Sequence, residues 1–116
     1  MKFYQYAKCG TCKKAEKWLG RHDVDVDAID IVTSPPSKAQ LKKYWKSSGL
    51  PIQKFFNTSG QSYRNGNFKE KLKTMTEDEA LSALAADGKL IKRPLLVNPE
   101  RVLVGFKEED YKQTLL

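Results

Sequence analysis

The sequence predicts an α/β protein: a mixed four-stranded sheet with a helical segment inserted in its middle. Three observations carry that prediction. Strand-forming residues open the chain and return near its end in two closely spaced apolar runs, Pro94–Asn98 and Arg101–Gly105. Between them, apolar residues recur at helical spacing, and capping residues or glycine bracket most of these runs. The length of 116 residues fits one domain, placed at 1–116, and 40% hydrophobic residues with two Trp, five Phe and five Tyr supply one modest core.

Taken in order, Lys2-Phe3-Tyr4-Gln5-Tyr6 is rich in strand formers and gives the first strand. Ala15, Trp18 and Leu19 share one helical face, so a helix is expected from about Thr11 to Gly20, with Gly20 as its stop. Val24 to Ile31 reads as the second strand, because Val24, Val26 and Ala28 alternate with aspartates before the phase shifts to Ile29 and Ile31. Pro35-Pro36 breaks the chain, and Ser37 with Gln40 forms a capping box for a helix carrying Leu41, Tyr44 and Trp45 and closed by Gly49. Ile52, Phe55 and Phe56 anchor the loop-rich stretch that follows. Asn67 with Glu70 is expected to cap a short helix through Leu72. Thr76 with Glu79 makes a second capping box, and its helix runs to Asp87-Gly88 with Leu81, Leu84 and Ala85 facing inward. The two late strands join through Asn98-Pro99-Glu100 as a hairpin, and Phe106 to Leu115 closes the chain as a helix. The order β-α-β, helices over about 37–88, then β-β-α is the layout of a thioredoxin-like, glutaredoxin-type sheet.

The chemistry concentrates in Cys9-Gly10-Thr11-Cys12, which holds both cysteines of the chain. If the helix begins near Thr11, Cys9 sits at its N-terminus, where unpaired N–H groups and the positive end of the macrodipole favour a thiolate. Its pKa is therefore expected to fall, with Lys8 and Lys13 adding positive potential. Cys12 lies one turn on, within reach of Cys9, and Gly10 between them leaves room for a substrate backbone. Cys9 is the expected nucleophile and Cys12 the resolving thiol. An inert buried pair is the structural alternative, against which the flanking lysines argue. A zinc site needs four ligands, and two Cys with a distant His22 do not supply them, so no metal is expected. Lys92-Arg93-Pro94 precedes the third strand. A thioredoxin-like fold places a cis proline there, opposite the cysteine loop, leaving a free backbone edge for a peptide-like substrate and directing Arg93 toward the Cys9 sulfur. Arg93, Pro94, Lys13, Gly10 and Thr11 form the expected substrate- and anion-binding set.

The net charge of +7 favours anionic partners. The lysines spread from Lys2 to Lys112 without an arginine-rich run or an aromatic ladder, so no nucleic-acid groove is expected. No apolar run is long enough to cross a bilayer and no signal peptide is seen, so the expected setting is the cytoplasm, where a Cys pair is catalytic or metal-binding more often than structural. A monomer is expected.

The chain resembles the ArsC/Spx/YffB–YusI family of thioredoxin-fold proteins over nearly its whole length. The residues behind this are Cys9-Gly10-Thr11-Cys12-Lys13-Lys14, Pro35-Pro36-Ser37, Phe55-Phe56-Asn57-Thr58-Ser59-Gly60 with Tyr63-Arg64, Asp87-Gly88, Ile91-Lys92-Arg93-Pro94 and Val104-Gly105-Phe106. The resemblance implies a nucleophile at Cys9 and an anion-facing arginine at Arg93. Glutaredoxin-coupled arsenate reductases of the family carry Ser where Cys12 stands. They also use two further arginines and a histidine at positions that fall here on Asn57, near Gly105–Phe106, and on Gln5. One arginine in place of three makes a poor cradle for a doubly charged oxyanion, so arsenate reduction is the least favoured reading. The Spx branch shares the Cys-x-x-Cys switch and docks on the α subunit of RNA polymerase as a redox-sensing regulator, usually with a longer C-terminal tail than a chain ending at Leu116. The Asn57–Gly60 and Tyr63–Arg64 stretches are more similar to the YusI/YffB branch, which is linked with thiol reduction. The leading expectation is a thiol–disulfide oxidoreductase of unassigned substrate, with no bound cofactor and with glutathione, glutaredoxin or thioredoxin as reductant. The rival is a redox switch that binds RNA polymerase.

Overall fold

Alternation decides how the sheet is covered. In the computed structural model, which describes all of residues 1–116, β1 (Lys2–Gln5) sends Phe3 to one side and Tyr4 to the other. The elements that follow are α1 (Gly10–Arg21), β2 (Asp27–Asp30), α2 (Lys38–Ser48), α3 (Gln61–Asn65), α4 (Phe68–Lys71), α5 (Glu77–Ala86), β3 (Leu95–Val97), β4 (Val102–Val104) and α6 (Glu108–Leu115). Short 3-10 turns at Ile52–Phe55 and Gly88–Leu90 complete the helical segment. The strand order is β2-β1-β3-β4, with β1 parallel to β2 and antiparallel to β3, and β3 antiparallel to β4. This is the mixed four-stranded sheet expected from the sequence.

Phe3, Leu96 and Leu103 meet Ala15, Trp18, Leu19 and Tyr111 on the face covered by α1 and α6. Tyr4, Leu95 and Val102 meet the inserted helices on the opposite face, through Leu41, Phe55, Leu84 and Ile91 among others. Trp18 and Tyr111 are fully buried and pack edge to face at 5.5 Å, which fixes the last helix across the first. Both capping boxes form as expected: Ser37 with Gln40 opens α2, and Thr76 with Glu79 opens α5. Gly49 closes α2 in the left-handed region at φ 69°. No helix is long and apolar enough to cross a membrane.

Several boundaries differ from expectation, each for a local reason. Gly20 does not stop α1; the chain reverses at Asp23, which takes φ 55°, a conformation that a short polar side chain tolerates. Residues 24–26 are not strand. The Val24 N–H donates to the Leu19 carbonyl at the end of α1, and pairing starts only where Asp27 N–H meets the Met1 carbonyl, because β1 offers no earlier partner. Val24 and Val26 pack instead against the α1–α6 side of the core, and Ala28 is exposed at the sheet edge. Asn67 precedes α4 but makes no side-chain cap bond; it sits at φ 55° and turns the chain between α3 and α4. Leu81, Leu84 and Ala85 of α5 face the core as expected, Ala85 partly buried, and Ala80 joins them as a buried residue. The last helix starts at Glu108, leaving Phe106 and Lys107 free for the site described next.

Candidate active site

Cys9 is the N-cap of α1, with extended backbone at φ −94° and ψ 114°, and its Sγ accepts a hydrogen bond from Cys12 N–H at 3.3 Å. The Cys9 N–H is itself fixed on the Tyr6 carbonyl at 3.0 Å. A sulfur in that position faces the unpaired donors at the start of a twelve-residue helix. Cys12, one turn on, belongs to the inward face with Ala15, Trp18 and Leu19 and is 1% exposed, whereas Cys9 is half-buried. Both are free thiols. Burial pushes the Cys12 thiol up to about 12; the adjacent Cys9 adds to the rise, while the Tyr6 backbone and the Arg93 charge oppose it.

Cys9 opens into a cleft of about 360 Å³. Thr11, Asn57, Ser59, Lys92, Arg93 and Lys107 supply its polar lining, with Val104, Gly105 and Phe106 beneath. Three cations and no carboxylate line it, so an anionic ligand is favoured there. Arg93 reaches this cleft with its guanidinium 5.0 Å from the Tyr6 ring centre and one Nη donating to the Lys89 carbonyl at 3.2 Å. The Arg93–Pro94 peptide is cis. Pro94 is buried and its carbonyl accepts from Gly105 N–H at 2.8 Å, while neither the N–H nor the C=O of Arg93 has a backbone partner. Gly105 takes φ 79°, a backbone conformation that favours glycine, while a Cβ there would lie 3.2 Å from the flexible end of the Lys92 side chain, which can move aside. Tyr111 O–H donates to the Gly105 carbonyl at 3.3 Å and ties this floor to α6.

Of the residues singled out from the sequence, Cys9, Thr11 and Arg93 meet at the cleft. Cys12 and Pro94 lie buried behind it, and Lys13 and Gly10 are exposed at the start of α1 outside its lining. A Cβ on Gly10 would meet no atom within 4 Å, so nothing inside the protein requires glycine there. His22 caps the far end of α1 with its ring 4.2 Å from Trp18. Lys92, Lys107 and Ser59 are cleft residues that the sequence reading did not single out. The first and third arrive through a non-local pairing: Lys92 N–H donates to the Phe55 carbonyl and Asn57 N–H to the Leu90 carbonyl, both at 2.8 Å. The signal that could have found them is the pair of motifs Phe55–Gly60 and Ile91–Pro94, had they been read as two sides of one ladder. Asn57 and Gly105–Phe106, the places of the two arginines of arsenate reductases, do line the cleft.

Three groups around this core keep protons that an unfolded chain would lose. Cys12 is raised from 9.0 to about 12. Tyr4 is raised by burial and by Tyr44, and Tyr111 by burial and by Cys12. Above about pH 9 the unfolded state therefore binds fewer protons than the folded one, and stability falls as pH rises, by up to about 1.4 kcal/mol per pH unit for each group titrating. Urea midpoints measured from about pH 8 to 11 should drop steadily, with a shallower drop in Cys12→Ala; a flat profile would contradict the burial of these groups.

The model of the ArsC family matches residues 4–114. The uncharacterized protein YusI of Bacillus subtilis (strain 168) is 55% identical over 111 residues, 96% of this chain and 94% of the relative. The regulatory protein MgsR of the same organism is 28% identical over 104 residues, covering 90% of this chain and 81% of its own. Among solved structures, the crystal structure of an ArsC family related protein from Bacteroides fragilis superposes with a TM-score of 0.94 at 46% identity, covering 97% of this chain and 94% of the other.

Proposed function

The chain belongs to the ArsC family, and on that premise we propose that it is a thiol-dependent reductase of disulfides, with Cys9 as nucleophile and Cys12 as resolving thiol. The asymmetry of the two thiols carries this reading: one faces a cationic cleft at a helix N-terminus, and the other is buried one turn behind it. The Cys9 thiolate attacks one sulfur of a substrate disulfide, forming a mixed disulfide and releasing the other sulfur as thiolate, which takes up a proton. Once Cys9 is so bound, its charge and hydrogen bond no longer hold the proton on Cys12. Burial still raises the Cys12 thiol, but less is left to oppose the Tyr6 backbone and Arg93, which lower it, and its proton passes to the departing substrate sulfur. Attack by Cys12 on Cys9 Sγ closes the Cys9–Cys12 disulfide and expels the second substrate sulfur. Two electrons pass to the substrate, and a dithiol or glutathione donor returns them.

Lys92, Arg93 and Lys107 favour an anionic disulfide such as a glutathione mixed disulfide, whose carboxylates suit separate point charges. Lysines lack the two-pronged fork by which arginines clamp an oxyanion, so arsenate-dependent thiol oxidation is not expected. The test is turnover of a glutathione mixed disulfide and of insulin disulfides by wild type and Cys9→Ser. Turnover by wild type alone is expected; equal rates, or no turnover of either substrate by wild type, would overturn the reading. The similarity to a regulatory protein supports a second reading, a redox switch that docks on RNA polymerase through its α subunit. Recovery of the same partners by oxidised and reduced protein would count against it.

A further inference from the structure

We propose that Tyr6 is a positioning residue of the Cys9 cleft: its ring holds the Arg93 guanidinium in place there and so favours anionic reactants at the sulfur. The placement stands apart from the reductase reading; only its use in selecting anionic disulfides rests on that reading. Three cations line the cleft, but they are held differently. Lys92 and Lys107 are exposed, and their side chains form no hydrogen bond or ion pair within the protein. Each ammonium therefore rides on a flexible stem. Arg93 is half-buried and its tip is pinned twice. The guanidinium lies over the Tyr6 ring, 5.0 Å from its centre, and one Nη donates to the Lys89 carbonyl at 3.2 Å. The backbone on either side is fixed as well, by Lys92 N–H on the Phe55 carbonyl and Gly105 N–H on the Pro94 carbonyl, both at 2.8 Å. A charge held this way needs little further ordering when an anion arrives.

Tyr6 is itself well anchored. Its ring packs against the core beneath the inserted helices. Its carbonyl accepts the Cys9 N–H at 3.0 Å, so one residue braces both the Cys9 backbone and the arginine. The Arg93 charge is felt in this corner, where it opposes the rise of the Cys12 thiol. Tyr6 does not line the cleft, so what it supplies is the face of its ring behind Arg93. Without that face, one bond to a carbonyl leaves the guanidinium free to swing toward water.

Alkylation in a Cys12→Ala background, where Cys9 is the single thiol, tests this with two reagents of different charge. The ratio of the iodoacetate rate to the iodoacetamide rate reports the potential that an approaching anion meets; the ionised fraction of the thiol cancels from it. Tyr6→Leu keeps an apolar side chain without the ring, and should lower the ratio at least about threefold at low salt, as should Arg93→Gln. Tyr6→Phe keeps the ring and should leave the ratio within about 1.5-fold of the parent. In the Arg93→Gln background, Tyr6→Leu should change nothing further. A merely structural role for Tyr6 would move both rates together and leave their ratio alone. An unchanged ratio in Tyr6→Leu, an equal loss in Tyr6→Phe, or a further fall in the Arg93→Gln background would overturn the proposal. No disulfide is turned over in this assay, so its failure leaves the reductase reading intact. Failure of that reading would appear as absent turnover of a glutathione mixed disulfide by wild type, with the alkylation ratios unaffected.

Discussion

Replacing Cys9 with serine is expected to abolish turnover of a glutathione mixed disulfide, a loss of about a thousandfold or more. A hydroxyl at the N-cap keeps the hydrogen bond from Cys12 N–H and so keeps the helix start, but it is neither ionised at neutral pH nor able to form a disulfide. Replacing Cys12 with serine should act differently. The first attack proceeds, the mixed disulfide on Cys9 has no internal thiol to resolve it, and a covalent adduct accumulates on that residue. If glutathione itself is the donor, it resolves the adduct from outside and turnover persists by a single-thiol route. Mass spectrometry of each variant after one turnover separates these outcomes. Equal rates in wild type and both variants would remove the chemistry from this pair altogether.

The variant Gly88→Ala is expected to lose about 2–4 kcal/mol of stability, through overpacking rather than through backbone conformation. A Cβ there would stand 1.9 Å from the Ile31 carbonyl oxygen and 2.8 Å from its carbon. Both are main-chain atoms just past β2 and cannot swing aside as a side chain would. Gly88 opens the turn that returns the helical segment to the sheet, so displacement there is felt at Leu90 and Ile91 in the core. For a domain near this size the loss corresponds to a fall in melting temperature of roughly 10–20 °C. Gly20→Ala is the control, since a Cβ there meets nothing within 4 Å inside α1; it should be neutral or stabilising by up to about 1 kcal/mol. A Gly88→Ala melt no lower than that of the control would contradict the packing described.

Local rules carried most of the fold. Ser37–Gln40 and Thr76–Glu79 are three-residue relationships, and the helices they open begin where the side chains say. The placement of Cys9 at a helix start is equally local, fixed by where the face of Cys12, Ala15, Trp18 and Leu19 begins. What the sequence left unread depends on partners far along the chain. The second strand begins late because β1, not Val24, sets where pairing can start. Lys92 and Ser59 enter the cleft through the bridge between Phe56 and Ile91, which no periodicity in either stretch announces. Counting arginines alone therefore undercounted the positive charge at the site. Asn67 and Asp23 show a further limit: the same residue types cap helices or accept a left-handed turn, and the choice rests on geometry around them.

On the proposed mechanism Cys9 is the reactive thiol and Cys12 the shielded one. Brief treatment of the reduced protein with limiting iodoacetamide at pH 7, followed by peptide mass spectrometry, measures this directly. Alkylation of Cys9 is expected at least about a hundredfold faster than that of Cys12, with Cys12 labelled only after denaturation. Equal labelling of the two, or preferential labelling of Cys12, would contradict it.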